Sequence, residues 1–170
     1  FFIECIEKFR LLFSFVQRRW NIWQPLMPLI GGLILAALII VIPVDYLGLS
    51  LALMNDALQG KDVAMLGFVW KSLLVAITLG SGFYGGIVTP QFVIGALAGN
   101  AFAHVLGVNP AFGAAIGMVS VVAASSNTPI AAILMGFELF GNSASAYFAS
   151  ACVTAYIIVG HRSVYSDQLL

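Results

Sequence analysis

Charged side chains are scarce in this sequence, and their scarcity indicates its class. Only 8% of the 170 residues are charged, against about 25% in an ordinary soluble domain, while 61% are hydrophobic and the mean hydropathy is +1.04. This composition is that of a membrane protein. Seven basic residues balance seven acidic ones, and four of the basic residues fall within the first nineteen positions. The rest of the chain therefore has no basic surface of the kind that binds nucleic acid.

Cysteine and histidine are also rare, at two residues each. The cysteines form no CxxC motif and have no histidine cluster beside them, so the sequence indicates no metal centre, no redox centre and no cofactor. Several serines lie in apolar segments, but His104 is the one plausible base for them and its position relative to them is not given by the sequence, so an intramembrane enzyme is the less favoured alternative. The chain begins at Phe1 without a signal-peptide pattern, which predicts a fragment of a longer protein.

Long neutral runs divide the sequence into membrane segments. Residues 20–44 carry no charged side chain, which predicts one transmembrane helix of the ~20 apolar residues that span a bilayer. The polar interlude at 45–62 predicts a loop with one short interfacial helix. The 66 residues of 72–137 then lack charge altogether. A single helix of that length would measure about 100 Å against a hydrocarbon core of about 30 Å, so this run is expected to fold back.

Three clusters of turn-forming residues interrupt the neutral run, at 80–90, 107–113 and 125–129. Several of the pieces between them are shorter than a membrane span. Interrupted helices are typical of transporters and channels, because irregular backbone persists within a membrane only against protein or a watery cavity. A purely structural helix bundle is disfavoured, since it would have no reason to keep helix starts at that depth.

The first cluster, GSGFYGGIVTP, has the residues of a helix start. Thr89 is predicted as its N-cap and Pro90 as its first helical residue. The open amides of such a start carry roughly half a positive charge, and Gly85 and Gly86 would allow an anion to approach the backbone closely. The alternative is that these glycines serve only tight helix packing. The SSNTP cluster repeats the pattern, with its Asn or Thr as the cap.

Three segments carry a resemblance to a known family. GGIVTPQFVIGALAGNAF is similar to the GxFxP region of the CLC family of voltage-gated chloride channels and proton-coupled anion exchangers. SSNTPIAAILMGFELFG and HRSVYSDQLL resemble the two segments that follow in that family, in the same order. The resemblance covers essentially the whole chain and corresponds to the C-terminal half of a prokaryotic member.

The resemblance implies an all-α membrane protein with the CLC-type broken-helix half-repeat, one of two inverted repeats in each subunit of a homodimer. It implies that the amides of Gly86, Ile87 and Val88 and the hydroxyl of Tyr165 bind chloride or a related anion. The implied partners are this anion, the lipid bilayer and the missing N-terminal half-repeat. The implied location is a bacterial inner membrane, crossed several times.

The same resemblance divides the chain into three parts. It implies a connecting helix at 1–24, the membrane half-repeat at 25–160 and, at 161–170, a last helix that leads into the ion site. The protein would then be a channel or an anion/proton antiporter and not an enzyme. The fluoride-exporting branch is an alternative because it shares the VTP and NTP motifs. However, that branch usually has an acidic residue in place of Ile87, and chloride proteins usually have an aromatic residue in place of Val88.

Other polar residues have a structural interpretation beside the functional one. Thr89 and Lys71 are secondary candidates for the anion site, where Lys71 would concentrate anions in a vestibule; the alternative is a lysine that snorkels or pairs with an acid. Glu138 is either a proton-coupling acid or, by preference, a capped structural carboxylate. His104 is expected to be hydrogen-bonded or interfacial, because no second metal ligand is near it. Tyr165 would otherwise be an interfacial tyrosine.

Overall fold

A computed structural model describes residues 2–20, 26–40, 42–83, 85–160 and 162–165. Over these residues the chain is helical and contains no strand, which confirms the predicted all-α fold. The helices are α1 (Phe2–Trp20), α2 (Met27–Leu38), α3 (Leu51–Leu58), α4 (Gly67–Gly80), α5 (Val88–Leu106), α6 (Pro110–Ser125), α7 (Pro129–Phe140) and α8 (Ser145–Val159). Short 3₁₀ turns precede α3 and α8, at Val44–Tyr46 and Asn142–Ala144.

The neutral run is interrupted at the three predicted places. The first break separates α4 from α5, and the second separates α5 from α6. At the second break, Gly107 has a left-handed φ of 67°, and Asn109 caps α6 by accepting hydrogen bonds from two amides at 2.9 and 3.3 Å. The third break separates α6 from α7, where Thr128 stands at the predicted N-cap position but makes no capping bond with its side chain.

Helices α5 and α6 pack backbone to backbone through two GxxxG motifs, Gly95–Gly99 and Gly113–Gly117. A Cβ atom added to Gly99 would lie 2.1 Å from the carbonyl oxygen of Gly113. A Cβ atom on Gly117 would lie 2.4 Å from the carbonyl oxygen of Gly95. Such close crossings are typical of small residues at helix contacts in membranes. The pair forms the centre of the fold, and α3, α4, α7 and α8 pack around it.

The helix predicted over 20–44 is shorter than expected. Within the described residues of that segment, the α-helix is α2, whose twelve residues extend about 18 Å at ~1.5 Å per residue. Pro28 lies in its first turn, as is typical of a helix start, and Pro43 follows the turn that ends it. By length and composition, one helical stretch among the described residues is able to cross a membrane alone, Asn142–Val159.

Helix α3 is the short helix predicted in the polar interlude, and a buried amide fixes it to α5. The fully buried Asn100 donates hydrogen bonds from Nδ2 to the carbonyl oxygens of Ala57, at 2.9 Å, and Lys61, at 3.2 Å. The Ala57 carbonyl also accepts from the Gly60 amide at 3.1 Å, and Lys61 lies just beyond the end of α3, so Asn100 binds the helix end and the turn that follows it. A polar anchor therefore holds the interlude against the apolar core.

The first and last described residues lie close to each other. Helix α1, within the predicted connecting segment, packs along α4. After α8, Arg162 pairs with Glu4 of α1 at 3.6 Å. Residues 162–165 have no helical structure, and 166–170 lie outside the described residues. The predicted last helix is therefore absent from its four described residues, and its further extent stays a prediction.

Candidate functional site

The start of α5 lies in the segment that predicted an anion site. The helix begins at Val88 with Ile87 as N-cap, so the prediction of Thr89 as N-cap and Pro90 as first helical residue is wrong. Ile87 already has helical torsions, and its carbonyl accepts a hydrogen bond from the Gln91 amide at 3.2 Å, which closes the first turn around Thr89. Pro90 is tolerated in this turn because the first amides of a helix have no intrahelical acceptor.

The amides at this start are open. Within the part of the chain that the structure describes, none of the amides from Gly85 to Thr89 donates a hydrogen bond to another described residue. No side chain caps the helix either. Because α5 is nineteen residues long, its aligned peptide dipoles add a partial positive charge at this end. Open amides and a helix dipole together favour a negatively charged ligand.

Gly85 and Gly86 have no packing role among the described residues. A Cβ atom added to either glycine would meet no described atom within 4 Å, and Gly86 does not have a left-handed φ. This is the opposite of Gly99, whose missing Cβ lets two helices touch. The packing alternative for the two glycines is therefore not supported. Their remaining physical effect is to leave the backbone accessible at the α5 start.

A cavity of about 390 Å³ connects these glycines with Lys71. Gly85, Gly86 and Pro90 line it at the α5 start, and Lys71 lines it from α4. The rest of its wall is mostly apolar and comes from α2, α4 and the loop before α3. Tyr165 is a described residue, but it does not line this cavity. Two of the predicted site residues, Gly86 and Lys71, therefore line the same cavity.

Lys71 has no acidic partner among the described residues, so a pair with an acid is not supported. It is 2% exposed, and its Nζ donates hydrogen bonds to the carbonyl oxygens of Tyr46 (3.0 Å) and Gly48 (2.6 Å) and to Ser50 Oγ (2.8 Å). All three ammonium protons are thereby used. Gly48 and Ser50 both have positive φ, at 62° and 53°, so the loop that receives the ammonium bends sharply twice. Lys71 therefore organises this loop at the wall of the cavity.

The residues before Tyr165 are fixed near the α5 start. The amide of Val164 donates to the carbonyl oxygen of Ser125 at 2.9 Å, at the end of α6. The Val164 side chain is buried in an apolar cluster that also includes Ile94 and against which Ile87 packs. Tyr165 itself is 39% exposed. The structure thus brings the tail and Ile87 into one cluster, while Val88, on the first turn, is exposed.

The other polar residues have simpler environments. His104 Nε2 lies 3.1 Å from Asp62 Oδ1, which confirms the expected hydrogen-bonded histidine. Glu138 is exposed in the isolated chain, so both of its interpretations, a proton-coupling acid and a capped structural carboxylate near the subunit interface, stay predictions. No group of three His, Cys, Asp or Glu residues in the described ranges has the arrangement of a metal site. His161 lies outside the described residues.

The sequence analysis did not single out Gln91, the polar residue most deeply buried at the α5 start. Its side chain is fully buried, and its Oε1 accepts a hydrogen bond from Ser126 Oγ at 3.0 Å. This bond joins the first break of the neutral run to the third. The sequence signal for its role was a glutamine immediately after TP and directly before an apolar run that ends at Asn100.

An all-helical bundle with interrupted helices and an open helix start is typical of membrane channels and transporters. The chain matches the family described as Voltage gated chloride channel over residues 1–160. It therefore belongs to the CLC family, whose members are integral membrane proteins that act as channels or exchange transporters. This confirms the family resemblance, the fold class and the prediction that the protein is not an enzyme.

Individual relatives agree with this membership. The chain is 38% identical over 162 residues to the chloride/fluoride channel protein of Pseudomonas syringae pv. tomato, which covers 91% of this chain and 35% of that protein. It is 31% identical over 146 residues to the H(+)/Cl(-) exchange transporter ClcA of Yersinia pestis bv. Antiqua, covering 79% of this chain and 30% of that protein. The crystal structure of a CLC-type fluoride/proton antiporter superposes with a TM-score of 0.86 at 30% identity, covering 97% of this chain and 41% of that one. The chain thus spans between 30% and 41% of the length of these relatives.

Proposed function

We propose that this chain is the C-terminal half-repeat of a chloride or related-anion channel or anion/proton antiporter. The intact protein joins it to an N-terminal half-repeat, crosses a bacterial inner membrane several times and forms a homodimer. The amides of Gly86, Ile87 and Val88 and the hydroxyl of Tyr165 bind the anion. The half-repeat, the dimer and these assignments rest on the family's pattern together with the geometry of the α5 start.

One observation carries the site assignment. Among the described residues, the amides from Gly85 to Thr89 have no hydrogen-bond acceptor, and a Cβ atom added to Gly85 or Gly86 would meet nothing within 4 Å. Partial charges from amides and a helix dipole bind an anion firmly enough to replace its water, yet weakly enough to release it. A full charge at the same place would hold the ion too strongly for conduction. The α5 start thus has the chemistry of a transit site.

Lys71 and Thr89 are proposed to act beside this site. Because the three ammonium protons of Lys71 are bonded to the loop, it does not ligate the anion. Its charge, set in a mostly apolar wall of the same cavity, raises the local anion concentration at longer range. Thr89 lies half-buried in the first turn of α5, where its hydroxyl is a further donor for the anion.

Fluoride is the second candidate ion. The Pseudomonas relative is named a chloride/fluoride channel protein, and the superposed structure is a fluoride/proton antiporter. The neutral Ile87 separates this chain from the usual pattern of the fluoride branch. Proteoliposomes of the intact transporter, loaded in turn with chloride and fluoride and read with ion-selective electrodes, distinguish the two. Flux of neither ion would contradict the transport function.

The site assignment is tested by removing a single hydroxyl. Tyr165→Phe in the intact transporter should weaken anion binding about tenfold or more, since a hydrogen bond to a charged group contributes about 1.5–3 kcal/mol. Tyr147→Phe is the matched control, because Tyr147 lies in the first turn of α8 and packs edge-on against Phe112. Calorimetric titration with halide salts gives both affinities. Equal affinities in the two variants would remove Tyr165 from the site.

A further inference from the structure

A buried polar cluster lies between two of the helix breaks. We define the Gln91 cluster as Gln91 in the first turn of α5 with Ser126 and Asn127 in the break between α6 and α7. Gln91 is 0% exposed and Ser126 is 8% exposed. The Ser126 hydroxyl donates to Gln91 Oε1 at 3.0 Å. Because helical side chains lean toward the N-terminus of their helix, the Gln91 carboxamide is directed toward the turn that carries the proposed anion-binding amides.

Three side-chain atoms of this cluster are buried without a hydrogen-bond partner among the described residues: Gln91 Nε2, Asn127 Nδ2 and Asn127 Oδ1. Leaving one such atom unsatisfied costs about 1–3 kcal/mol, so three within one cluster indicate a ligand. Asn127 also has a left-handed φ of 57°, a conformation that costs most side chains energy.

The backbone at this corner is already paired, so the unsatisfied atoms do not reflect a loosely built turn. The amide of Ser126 donates to the carbonyl oxygen of Val122 at 3.0 Å, and that of Thr128 donates to Ala123 at 3.2 Å. The carbonyl oxygen of Ser125 accepts from the amide of Val164 at 2.9 Å. The corner is therefore fixed by its main chain, while the buried carboxamides of Gln91 and Asn127 keep donors and an acceptor that no described residue satisfies.

The balance of donors and acceptor defines the ligand. A halide only accepts hydrogen bonds, and the free Asn127 Oδ1 would repel it. A water molecule both donates and accepts, and buried waters typically make about three hydrogen bonds to otherwise unsatisfied groups. Exchanging the nitrogen and oxygen of Gln91 would leave Oε1 free in place of Nε2, and a water satisfies either arrangement.

We propose that the Gln91 cluster binds a fixed water molecule beside the α5 start, and that this water hydrates the anion as it passes the amides. The water site follows from the cluster alone, whereas its role in conduction rests on the proposed function. A fixed water offers the anion one hydration partner that the rigid amides do not supply. Its contribution is larger for a strongly hydrated anion such as fluoride than for a weakly hydrated one such as bromide.

The water site is tested without any transport measurement. A crystal structure of the intact transporter, grown in bromide at a resolution that shows ordered water, should have density about 2.7–3.2 Å from Gln91 Nε2 or its exchanged oxygen, without a bromide anomalous peak. A bromide peak at that position would overturn the water assignment and leave the anion function standing. A protein side chain that fills the position would overturn the site altogether.

The role in conduction is tested by variants in proteoliposomes of the intact transporter. Gln91→Met keeps the side-chain size and removes both polar ends, so the fluoride-to-bromide flux ratio should fall about two- to tenfold, as for the loss of one neutral hydrogen bond. Ser120→Ala is the control, because the Ser120 hydroxyl bonds only within α6, to Ile116 O at 2.7 Å. An unchanged ratio in Gln91→Met would refute the hydration role.

A second variant covers the case in which Gln91→Met does not fold. Asn127→Gly suits the left-handed backbone and removes two of the three unsatisfied atoms, so it should fold and shift the ratio in the same direction. If it folds and leaves the ratio as in the unaltered protein, the hydration role is refuted. If the unaltered protein carries no anion flux, the proposed function is contradicted. The crystallographic test of the water site would still be valid in that case.

Discussion

Two glycine-to-alanine substitutions separate the site from the packing of the fold. Gly86→Ala adds a methyl group where no described atom lies within 4 Å and where the backbone does not need glycine. Gly99→Ala adds the same methyl group 2.1 Å from the carbonyl oxygen of Gly113. The two changes are chemically identical, but one enters the space in front of the open amides and the other enters a helix crossing.

The expected magnitudes follow from these distances. In Gly86→Ala the methyl group keeps the anion from the amides, and the loss of one charge-assisted hydrogen bond, about 1.5–3 kcal/mol, weakens binding about ten- to a hundredfold. Folding stability should stay the same or rise slightly, because alanine restricts the unfolded chain. In Gly99→Ala the helices must separate, since the oxygen belongs to the backbone, and stability should fall by about 1–3 kcal/mol.

Both quantities are measurable on the same purified intact transporter. Calorimetric titration with chloride and fluoride gives the affinities, and thermal unfolding followed by tryptophan fluorescence gives the stabilities. We expect Gly86→Ala to lose affinity and keep its Tm, and Gly99→Ala to lose several degrees of Tm. The reasoning is refuted if Gly86→Ala unfolds as early as Gly99→Ala while its affinity for every halide is unchanged.

Two further pairs test the structural assignments by thermal unfolding. Lys71→Met should be strongly destabilising because two carbonyls and a hydroxyl lose a charged donor, whereas Lys61→Met breaks only an exposed pair with Asp56, which is typically worth less than about 1 kcal/mol. Equal losses would show that the loop does not depend on Lys71. Asn109→Ala should cost about 0.5–2 kcal/mol because two capping bonds disappear, and Thr128→Ala much less, because its side chain makes none. A larger effect at Thr128 would contradict the assigned caps.

The breaks in the fold could be predicted because their signals are local. Glycine, proline and asparagine act on their own backbone, so Gly107, Asn109 and Pro129 indicate helix ends without knowledge of the rest of the molecule. The exact residue at which α5 begins could not be predicted in the same way. Ile87 takes helical torsions although it has no capping side chain, and its side chain packs into the cluster that holds the tail.

The environments of the polar side chains depended on contacts distant in sequence. Lys71 finds its acceptors more than twenty residues away, in a loop where Gly48 is a typical positive-φ residue but the positive φ of Ser50 has no clear sequence signal. Gln91 meets Ser126 only because α5 and α6 cross so closely that two breaks become neighbours. Residue type therefore indicated that these groups need partners, but only the packing of the helices determines which partners they have.

The glycine crossing between α5 and α6 has a mechanical consequence. The main chains of these two helices touch along two successive turns, so no side chains lie between them that could be compressed. We therefore expect the two helices to move as one rigid body. On the proposed function, the amides in the first turn of α5 would then keep a nearly constant spacing when an ion binds. On the proposed function, discrimination by ionic radius would then depend on groups outside this helix pair, such as the hydroxyl of Tyr165.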